Sequence, residues 1–190
     1  MKRVDEELIK ACIKNDRRAQ FKLYELCYPI LISVCLRYEH NKEDARHMLN
    51  IGFMKIITNL QSFSGTHVFE AWARRIMINT LIDEYRVKKR MKEHVVFEEI
   101  ESRSYEKQGA ELNLSEHKFN AEELEMMVQE LPEDTRKVFN LFAIDGYAHN
   151  EIADLLKIPV GTSKWHVSRA RTMLQSMILK KIENSKVIVK

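Results

Sequence analysis

Glycine and proline are scarce in this chain. Among its 190 residues there are only 5 Gly and 3 Pro. Strand-rich folds need many tight turns, and tight turns rely on these two residue types. Their scarcity therefore argues against an all-β fold and favours helices.

Cysteine is also sparse, and its spacing lacks any known pattern. The three cysteines, Cys12, Cys27 and Cys35, form neither a CxxC nor a CxxxC motif. All three lie in apolar stretches with helical character. We therefore predict buried thiols in a reducing compartment, which excludes a disulfide framework.

Long hydrophobic runs are missing as well. The longest apolar run, residues 29–36, is far too short to cross a membrane as a continuous segment, and we find no signal peptide. We therefore expect a cytoplasmic protein without membrane insertion.

The charge is unevenly distributed along the chain. The formal net charge is +3, but residues 91–125 carry −6 and residues 157–190 carry +7. Two basic parts separated by an acidic stretch suggest two ends that bind polyanions. A solvated, lysine-rich surface is the alternative that charge alone leaves open.

The first half contains strong helical periodicity. Small or apolar residues recur at spacings of 3 and 1 from residue 41 to residue 60, which places them on one face of a helix. We further predict helices over 4–13, over 21–38 with a bend at Pro29, and over 68–91. The segment Ser62–His67, SFSGTH, contains the only glycine-bearing break in these helices and is predicted to be a loop. The small or apolar residues on one face of the predicted 41–60 helix form a stripe that consists of Ala45, Met48, Leu49, Gly52, Phe53, Ile56, Ile57 and Leu60.

The second half begins after an acidic stretch that is poor in large apolar residues. We predict an all-α fold of two small helical domains, 1–91 and 119–190, joined by a flexible acidic linker over 92–118. In the second domain, Pro132 is expected in the first turn of a helix, and Gly146 at a helix end.

Residues 151–171, EIADLLKIPVGTSKWHVSRAR, have the pattern of a helix-turn-helix. The inward side of the second helix carries Val160, Ser163, Val167, Ala170 and Leu174, at spacings of 3 and 4, and Ile158 is expected to plug the core from the turn. A helix whose other side is basic fits the major groove of DNA. Trp165 on that side favours a DNA contact, although a Trp that caps its own core is the alternative. The outward side carries Lys164, Trp165, Ser168, Arg169 and Arg171.

Three blocks in this order resemble a bacterial RNA polymerase sigma factor of the extracytoplasmic-function (ECF) group, which has only the second and fourth sigma-70 regions. EDARHMLNIGFMKIITNLQSF is similar to the region-2 helix that docks on the polymerase. FEAWARRIMINTLIDEYRVKKR is similar to the −10 helix of that family. LPEDTRKVF and the helix-turn-helix are similar to region 4.

The resemblance implies a role for each block. Region 2 would dock on the β′ clamp helices and melt the −10 element, with a flipped base in the Ser62–His67 loop. Region 4 would hold the −35 element, and the β flap would be its polymerase contact. The implied core-polymerase residues are Asp44, His47, Asn50, Ile51 and Met54. The implied −10 residues are Ser62, Phe63, Ser64, Trp72, Asn79, Asp83, Arg86 and Lys89. The implied −35 residues are Thr162, Lys164, Trp165, Ser168, Arg169 and Arg171.

Several residues depart from the family pattern. Acidic and amide residues usual in the docking helix are replaced by His47, Asn50 and Ile51, which predicts a less electrostatic contact. Ala148 stands where a serine cap is usual, and Trp165-His166 replaces a commoner Ser-Arg pair. We therefore expect an unusual −35 sequence.

Two other function classes fit less well. A free-standing helix-turn-helix regulator would carry a receiver or ligand domain in front, and no such domain is visible. An enzyme would need a catalytic or metal motif, but the seven histidines form no HExxH or HxH pair. The expected partners are core polymerase, promoter DNA and an anti-sigma factor, with no cofactor and no metal.

Overall fold

The computed structural model describes residues 4–65, 68–93 and 119–188, and every regular element within these ranges is helical. The predicted all-α fold is therefore confirmed. Chain contacts divide the protein into two compact units, residues 1–96 and 97–190. Most of the predicted linker, residues 94–118, lies outside the described ranges, and the linker's predicted flexibility stays a prediction.

Where the structure describes it, the first unit contains four α-helices and one short 3₁₀ turn. They are α1 (Glu6–Ile13), α2 (Arg17–Tyr38), α3 (Lys42–Asn59), the 3₁₀ turn Leu60–Ser62 and α4 (Phe69–Glu93). Asp5, Asp16 and Asn41 cap α1, α2 and α3, because each side chain accepts a hydrogen bond from a backbone N–H in the first turn. Caps at three successive helix starts explain where each helix begins.

Helix α2 differs from its prediction at its start. It begins at Arg17 rather than at Phe21, because Asp16 provides the cap, and it continues through Pro29 to the predicted end at Tyr38. The bend at Pro29 stays a prediction. Among the described residues, α2 is also the one helix whose length and hydropathy would suit a membrane span. Seven of its side chains are buried in the unit, and the core helix of a soluble protein has the same features.

The core of the first unit lies between α2, α3 and α4. The predicted stripe of α3 faces inward: all of it is buried except Ile57, which is half-buried. Gly52 leaves room for the side chain of Met77 on α4, since a Cβ atom at position 52 would collide with it. A glycine in mid-helix is therefore explained by packing rather than by a turn.

The second unit contains four further α-helices within the described residues. They are α5 (Ala121–Gln129), α6 (Glu133–Phe139), α7 (His149–Leu156) and α8 (Val160–Ile188), with a π-helical turn, Asn140–Ile144, after α6. Gly146 ends this segment at φ +76°, as predicted. Pro132 lies one position earlier than predicted, at the cap before α6.

Candidate partner and nucleic-acid interfaces

The first candidate surface is the outward side of α3. Asp44, His47, Asn50 and Met54 are exposed there, and Ile51 is half-buried at the edge of the core. At about 100° per residue these five positions cover an arc of about 120°, so they form one continuous strip. We call this strip the α3 face. It lies mostly opposite the buried stripe of α3, and Asn50 forms its edge toward α2.

Two groups of contacts hold the α3 face in place. At its start, Asn41 donates to Asp44 Oδ2 at 2.8 Å and accepts from the Asp44 N–H at 2.8 Å. Further along, the Tyr24 hydroxyl donates to Asn50 Oδ1 at 3.4 Å, and the Tyr24 ring meets the ring of Phe53 edge-on. Burial raises the pKa of Tyr24, so its hydroxyl keeps the proton that it donates.

The second candidate surface is the loop that follows α3. Ser62 and Ser64 are exposed, and Gly65 adopts φ +73°, a conformation that favours glycine. Phe63 is half-buried and turns back onto Phe69 and Trp72, with ring centroids 5.3 Å from each. We call these three rings the aromatic cluster. Thr66 and His67, the end of the predicted loop, lie outside the described residues.

The predicted −10 residues of α4 share one helix face with Trp72. Asn79, Asp83 and Arg86 follow Trp72 at spacings of 7, 4 and 3, which brings all four within about 60° of arc. Asp83 lies 3.5 Å from Arg86 and 3.9 Å from Lys55, both at the limit of an ion pair. Such exposed pairs contribute little stability, so Arg86 is held loosely. Lys89 lies outside this arc, about 60° around the helix from Arg86, and its ammonium is 5.7 Å from the centre of the Tyr85 ring.

The third candidate surface is the helix-turn-helix. Helix α7 ends at Leu156 and is capped by Lys157, which adopts the left-handed conformation at φ 56°, and α8 begins at Val160. Of the predicted inward positions, Ser163, Val167 and Ala170 are buried, whereas Val160 and Leu174 are half-buried. Ile158, the expected core plug, is likewise only half-buried.

Helix α7, the first helix of this pair, lacks a side-chain N-cap but keeps one capping hydrogen bond. Ala148 has no side-chain oxygen to offer, as its sequence predicts. The carboxylate of Glu151 nevertheless accepts from the Ala148 N–H at 2.8 Å, which is the reciprocal half of a capping box. The start of α7 therefore retains one of the two bonds of a complete capping box and lacks the one that a serine hydroxyl would accept.

The outward side of α8 is centred on Trp165. This residue lies about 200° around the helix from both Ser163 and Val167, opposite the buried stripe. It is nevertheless half-buried, because the Arg169 guanidinium lies 5.0 Å from its ring centroid and the His166 ring meets its edge at 4.8 Å. Around it, Lys164, Ser168 and Arg171 are exposed and Thr162 is half-buried.

Two functional candidates, Thr135 and His149, are not predicted from the sequence, and a third, His166, is predicted only as a departure from the family pattern on the reading helix. The Thr135 hydroxyl lies 3.0 Å from His166 Nδ1, and Ser163 Oγ lies 3.0 Å from His149 Nδ1. The available signal was Ser163, a hydroxyl at an inward position, because a buried hydroxyl needs a partner. The distant partners on α6 and α7 could not be read from local spacing.

No cluster that could hold a metal ion occurs among the residues described here. The three thiols are buried and free, which agrees with their predicted place in the core. Burial raises the pKa of Cys27 and of Cys35 to about 12. Both side chains are therefore neutral and unreactive at neutral pH.

Comparison with known proteins identifies both units. The family described as Sigma-70 region 2 matches residues 23–91, and the family described as Sigma-70, region 4 matches residues 121–174. Together the two matches cover more than half of the chain. The first contains α3, the loop and most of α4, and the second contains the helix-turn-helix.

Whole-chain relatives agree with these matches. The chain is 28% identical to the ECF RNA polymerase sigma-E factor of Escherichia coli (strain K12), over 92% of this chain and 94% of that protein. It is 26% identical to the Haemophilus influenzae protein described in the same words, over 92% and 95%.

Two solved structures are also similar. One is the sigma factor RpoE from Bartonella quintana in complex with the anti-sigma factor NepR, at 23% identity, a TM-score of 0.48 and coverage of 83% of this chain and 94% of that one. The other is CnrH in complex with the cytosolic domain of CnrY, at 20% identity, a TM-score of 0.46 and coverage of 92% and 96%.

Proposed function

The chain is an ECF-type member of the sigma-70 family, a transcription initiation factor that binds core RNA polymerase and directs it to promoters, and from this premise we propose which surface does each part of that work. The α3 face docks on the β′ clamp helices of the polymerase. The loop and α4 hold the −10 element, and the outward side of α8 holds the −35 element.

The docking role of the α3 face rests on its exposed apolar side chains. The opposite side of α3 is buried in the first unit, whereas Met54 is 60% exposed. Together with half-buried Ile51, it offers an apolar strip on a helix whose start is held by Asn41 and whose middle is held by Tyr24. Burying such a strip is a common source of affinity in protein interfaces. With only Asp44 as an acid among its five residues, the contact is more apolar than electrostatic.

The −10 role assigns melting to the loop and its aromatic cluster. Ser62 and Ser64 provide hydroxyl groups for the edge of a flipped base, and Gly65 permits close approach of its backbone. Phe63 and Trp72 form the apolar floor beneath them. Asn79, Arg86 and Lys89 continue along α4 as contacts for the adjoining strand, where cationic side chains follow phosphates.

The −35 role divides the outward side of α8 into two kinds of contact. Lys164 and Trp165 lie nearest the start of α8, the end that usually meets base edges, and carry sequence choice. Arg171 is exposed on the flank and binds phosphate. Arg169, which lies against Trp165, belongs to the same surface and supports the ring.

Further partners complete the proposal. Region 4 meets the β flap, and an anti-sigma factor binds the free protein. The protein acts in the cytoplasm and catalyses no reaction. The alternative, a free-standing regulator with a helix-turn-helix, requires no polymerase docking surface.

The experiment that separates these alternatives is binding to purified core polymerase. Ile51→Asp places a charge in the α3 face, and we expect roughly a tenfold or greater loss of affinity, since buried interface residues contribute most of the binding energy. Arg46→Asp is the matched control, because Arg46 is exposed on α3 outside the face. Helical circular dichroism of both variants should match that of the unmodified protein. Equal affinity of the two variants would remove the docking role from the α3 face.

A further inference from the structure

Two hydrogen bonds attach the first turns of α8 to the rest of the second unit. Ser163 Oγ lies 3.0 Å from His149 Nδ1 on α7, and His166 Nδ1 lies 3.0 Å from Thr135 Oγ1 on α6. We call these the two histidine–hydroxyl bonds. Each joins side chains from different helices, and each ends on the segment that carries Lys164 and Trp165.

The hydroxyl groups of both bonds lie in the interior. Ser163 is 0% exposed and Thr135 is 1% exposed. A buried hydroxyl without a partner costs free energy, so each histidine supplies a contact that the core itself lacks. The Ser163 side chain, which interrupts an otherwise apolar stripe, is thereby explained.

The rings themselves are held in place. His149 stacks on Phe142, with centroids 4.4 Å apart and planes 14° from parallel, so its Nδ1 has little rotational freedom. The His166 ring meets the ring of the preceding residue, Trp165, edge-on. The Arg169 guanidinium in turn lies over the Trp165 ring. A continuous series of contacts therefore runs from buried Thr135, through His166, to the outward side of α8.

Direction distinguishes these bonds from the apolar packing around them. Val167 and Ala170 tolerate small rotations of α8, because apolar contacts have no preferred direction. A rotation of about 20° would move an atom about 6 Å from the helix axis by about 2 Å, far more than a hydrogen bond accepts. Ser163 and His166 lie about 60° apart around α8, so two bonds to two helices fix its rotation.

We propose that Thr135 and His166, together with His149 and Ser163, are positioning residues that set the rotation of α8 and thereby the −35 sequence that the protein selects. This inference rests on the proposed −35 role of α8. It assigns half-buried His166, which lies on the predicted reading helix, to contacts within the unit rather than to DNA. The residue acts on DNA only through the placement of Trp165 and Arg169.

The test compares variants of the buried partner with variants of the histidine. Thr135→Val removes the hydroxyl while keeping the shape, and Thr135→Ser keeps the hydroxyl and is the matched control. His166→Leu removes the ring nitrogen, and His166→Asn retains a polar atom near the position of Nδ1. Each variant is assembled with core polymerase and used to select promoters from a library randomised at −35. Binding to the preferred promoter and to promoterless DNA is then measured.

We expect Thr135→Val to change the selected −35 sequence and to lower discrimination against promoterless DNA roughly five- to tenfold, the effect of one lost hydrogen bond. Thr135→Ser and His166→Asn should retain most of the original preference. Thr135→Val combined with His166→Leu should lose no more than either variant alone, because both remove the same bond.

Two outcomes would overturn the inference. If Thr135→Val kept the original preference while His166→Leu changed it, His166 would be a DNA contact. If the losses of the two variants added in full, they would not share one bond. Failure of the proposed function is distinguishable, since Lys164→Ala and Arg171→Ala would then also leave −35 binding unchanged. Loss of folding in Thr135→Val would be detected by circular dichroism, and the comparison of His166→Leu with His166→Asn would then decide.

Discussion

The two units of this protein have interiors of opposite character. The interior of the first is mainly apolar, and among its described residues Thr80 is the one that is buried and classed as polar, beside the two buried tyrosines Tyr38 and Tyr85. The interior of the second contains several buried polar residues, and its largest fully buried side chain is an arginine. The buried polar residues of the second unit are Thr135, Arg136, Lys137, Asn140 and Ser163.

This difference fits the task proposed for each unit. An apolar interior stabilises the unit through packing, but its contacts have no preferred direction and do not fix the rotation of a helix. This suffices for a helix that presents an apolar strip to a large partner. A hydrogen-bonded interior provides direction, which a helix that must align side chains with base edges requires. The second unit therefore accepts the cost of burying polar groups where geometry matters most.

The largest expected effect comes from removing the buried arginine of the second unit. Arg136 is 0% exposed and donates to the backbone and side-chain oxygens of Gln129, at 3.1 and 2.9 Å. Arg136→Ala should cost about 3–5 kcal/mol, because it leaves a cavity and unpaired acceptors. Hydrogen exchange should rise across residues 121–174 and stay unchanged across α3. The exposed Arg171→Ala is the control, and an equally stable Arg136→Ala would show that the polar interior contributes nothing to stability.

The first unit should respond to volume rather than to polarity. Leu49 is 1% exposed. Leu49→Ala should cost about 2–5 kcal/mol, whereas Leu49→Met should cost less than about 1.5 kcal/mol because it keeps the volume. Urea unfolding of the two variants gives both values. Equal losses for the two variants would mean that the first unit depends on exact side-chain shape and not only on volume. The contrast between the two units would then fail.

Alkaline pH should weaken the first unit alone through its thiols. The pKa of Cys27 and of Cys35 rises from 9.0 to about 12 in the folded state, because burial disfavours the thiolate. Above pH 9 the unfolded chain loses these protons first, so stability falls as pH rises from 9 toward 12, by up to about 1.4 kcal/mol per pH unit per thiol. Hydrogen exchange at pH 8 and pH 10 compares the units. Cys27→Ala should reduce the pH dependence in the first unit, and an unchanged slope would contradict the thiol origin.

The smallest effect concerns the pair on the outward side of α8. The Arg169 guanidinium lies over the ring of Trp165, and such exposed cation–π contacts contribute about 0.5–1 kcal/mol. A double-mutant cycle of Trp165→Ala and Arg169→Ala, measured by binding to the −35 element, should give a coupling of that size. Lys164→Ala with Trp165→Ala is the comparison pair. Additive losses would show that Trp165 and Arg169 are not coupled. The geometry that hydrogen bonds fix in the interior of the second unit would then not extend to this pair on its surface.

The sequence predicted what depends on periodicity. The buried stripe of α3, the helix-turn-helix and the glycine end at Gly146 follow from local spacing and local conformational preference. Contacts between distant residues could not be predicted in the same way. Thr135 and His166 are 31 residues apart, and nothing in the order of residues says that they meet. The Arg169–Trp165 contact was within reach of an i, i+4 argument, yet both residues were assigned separately to DNA.

The aromatic surroundings of the two tryptophans have an optical consequence. The chain has two Trp residues, one in each unit: Trp72 sits among the rings of Phe63 and Phe69, and Trp165 sits between an imidazole and a guanidinium. Each unit thus carries its own intrinsic fluorophore in a distinct electronic environment. With Trp72→Phe the tryptophan emission of the protein comes from the second unit alone, and promoter binding becomes visible in solution without an attached dye.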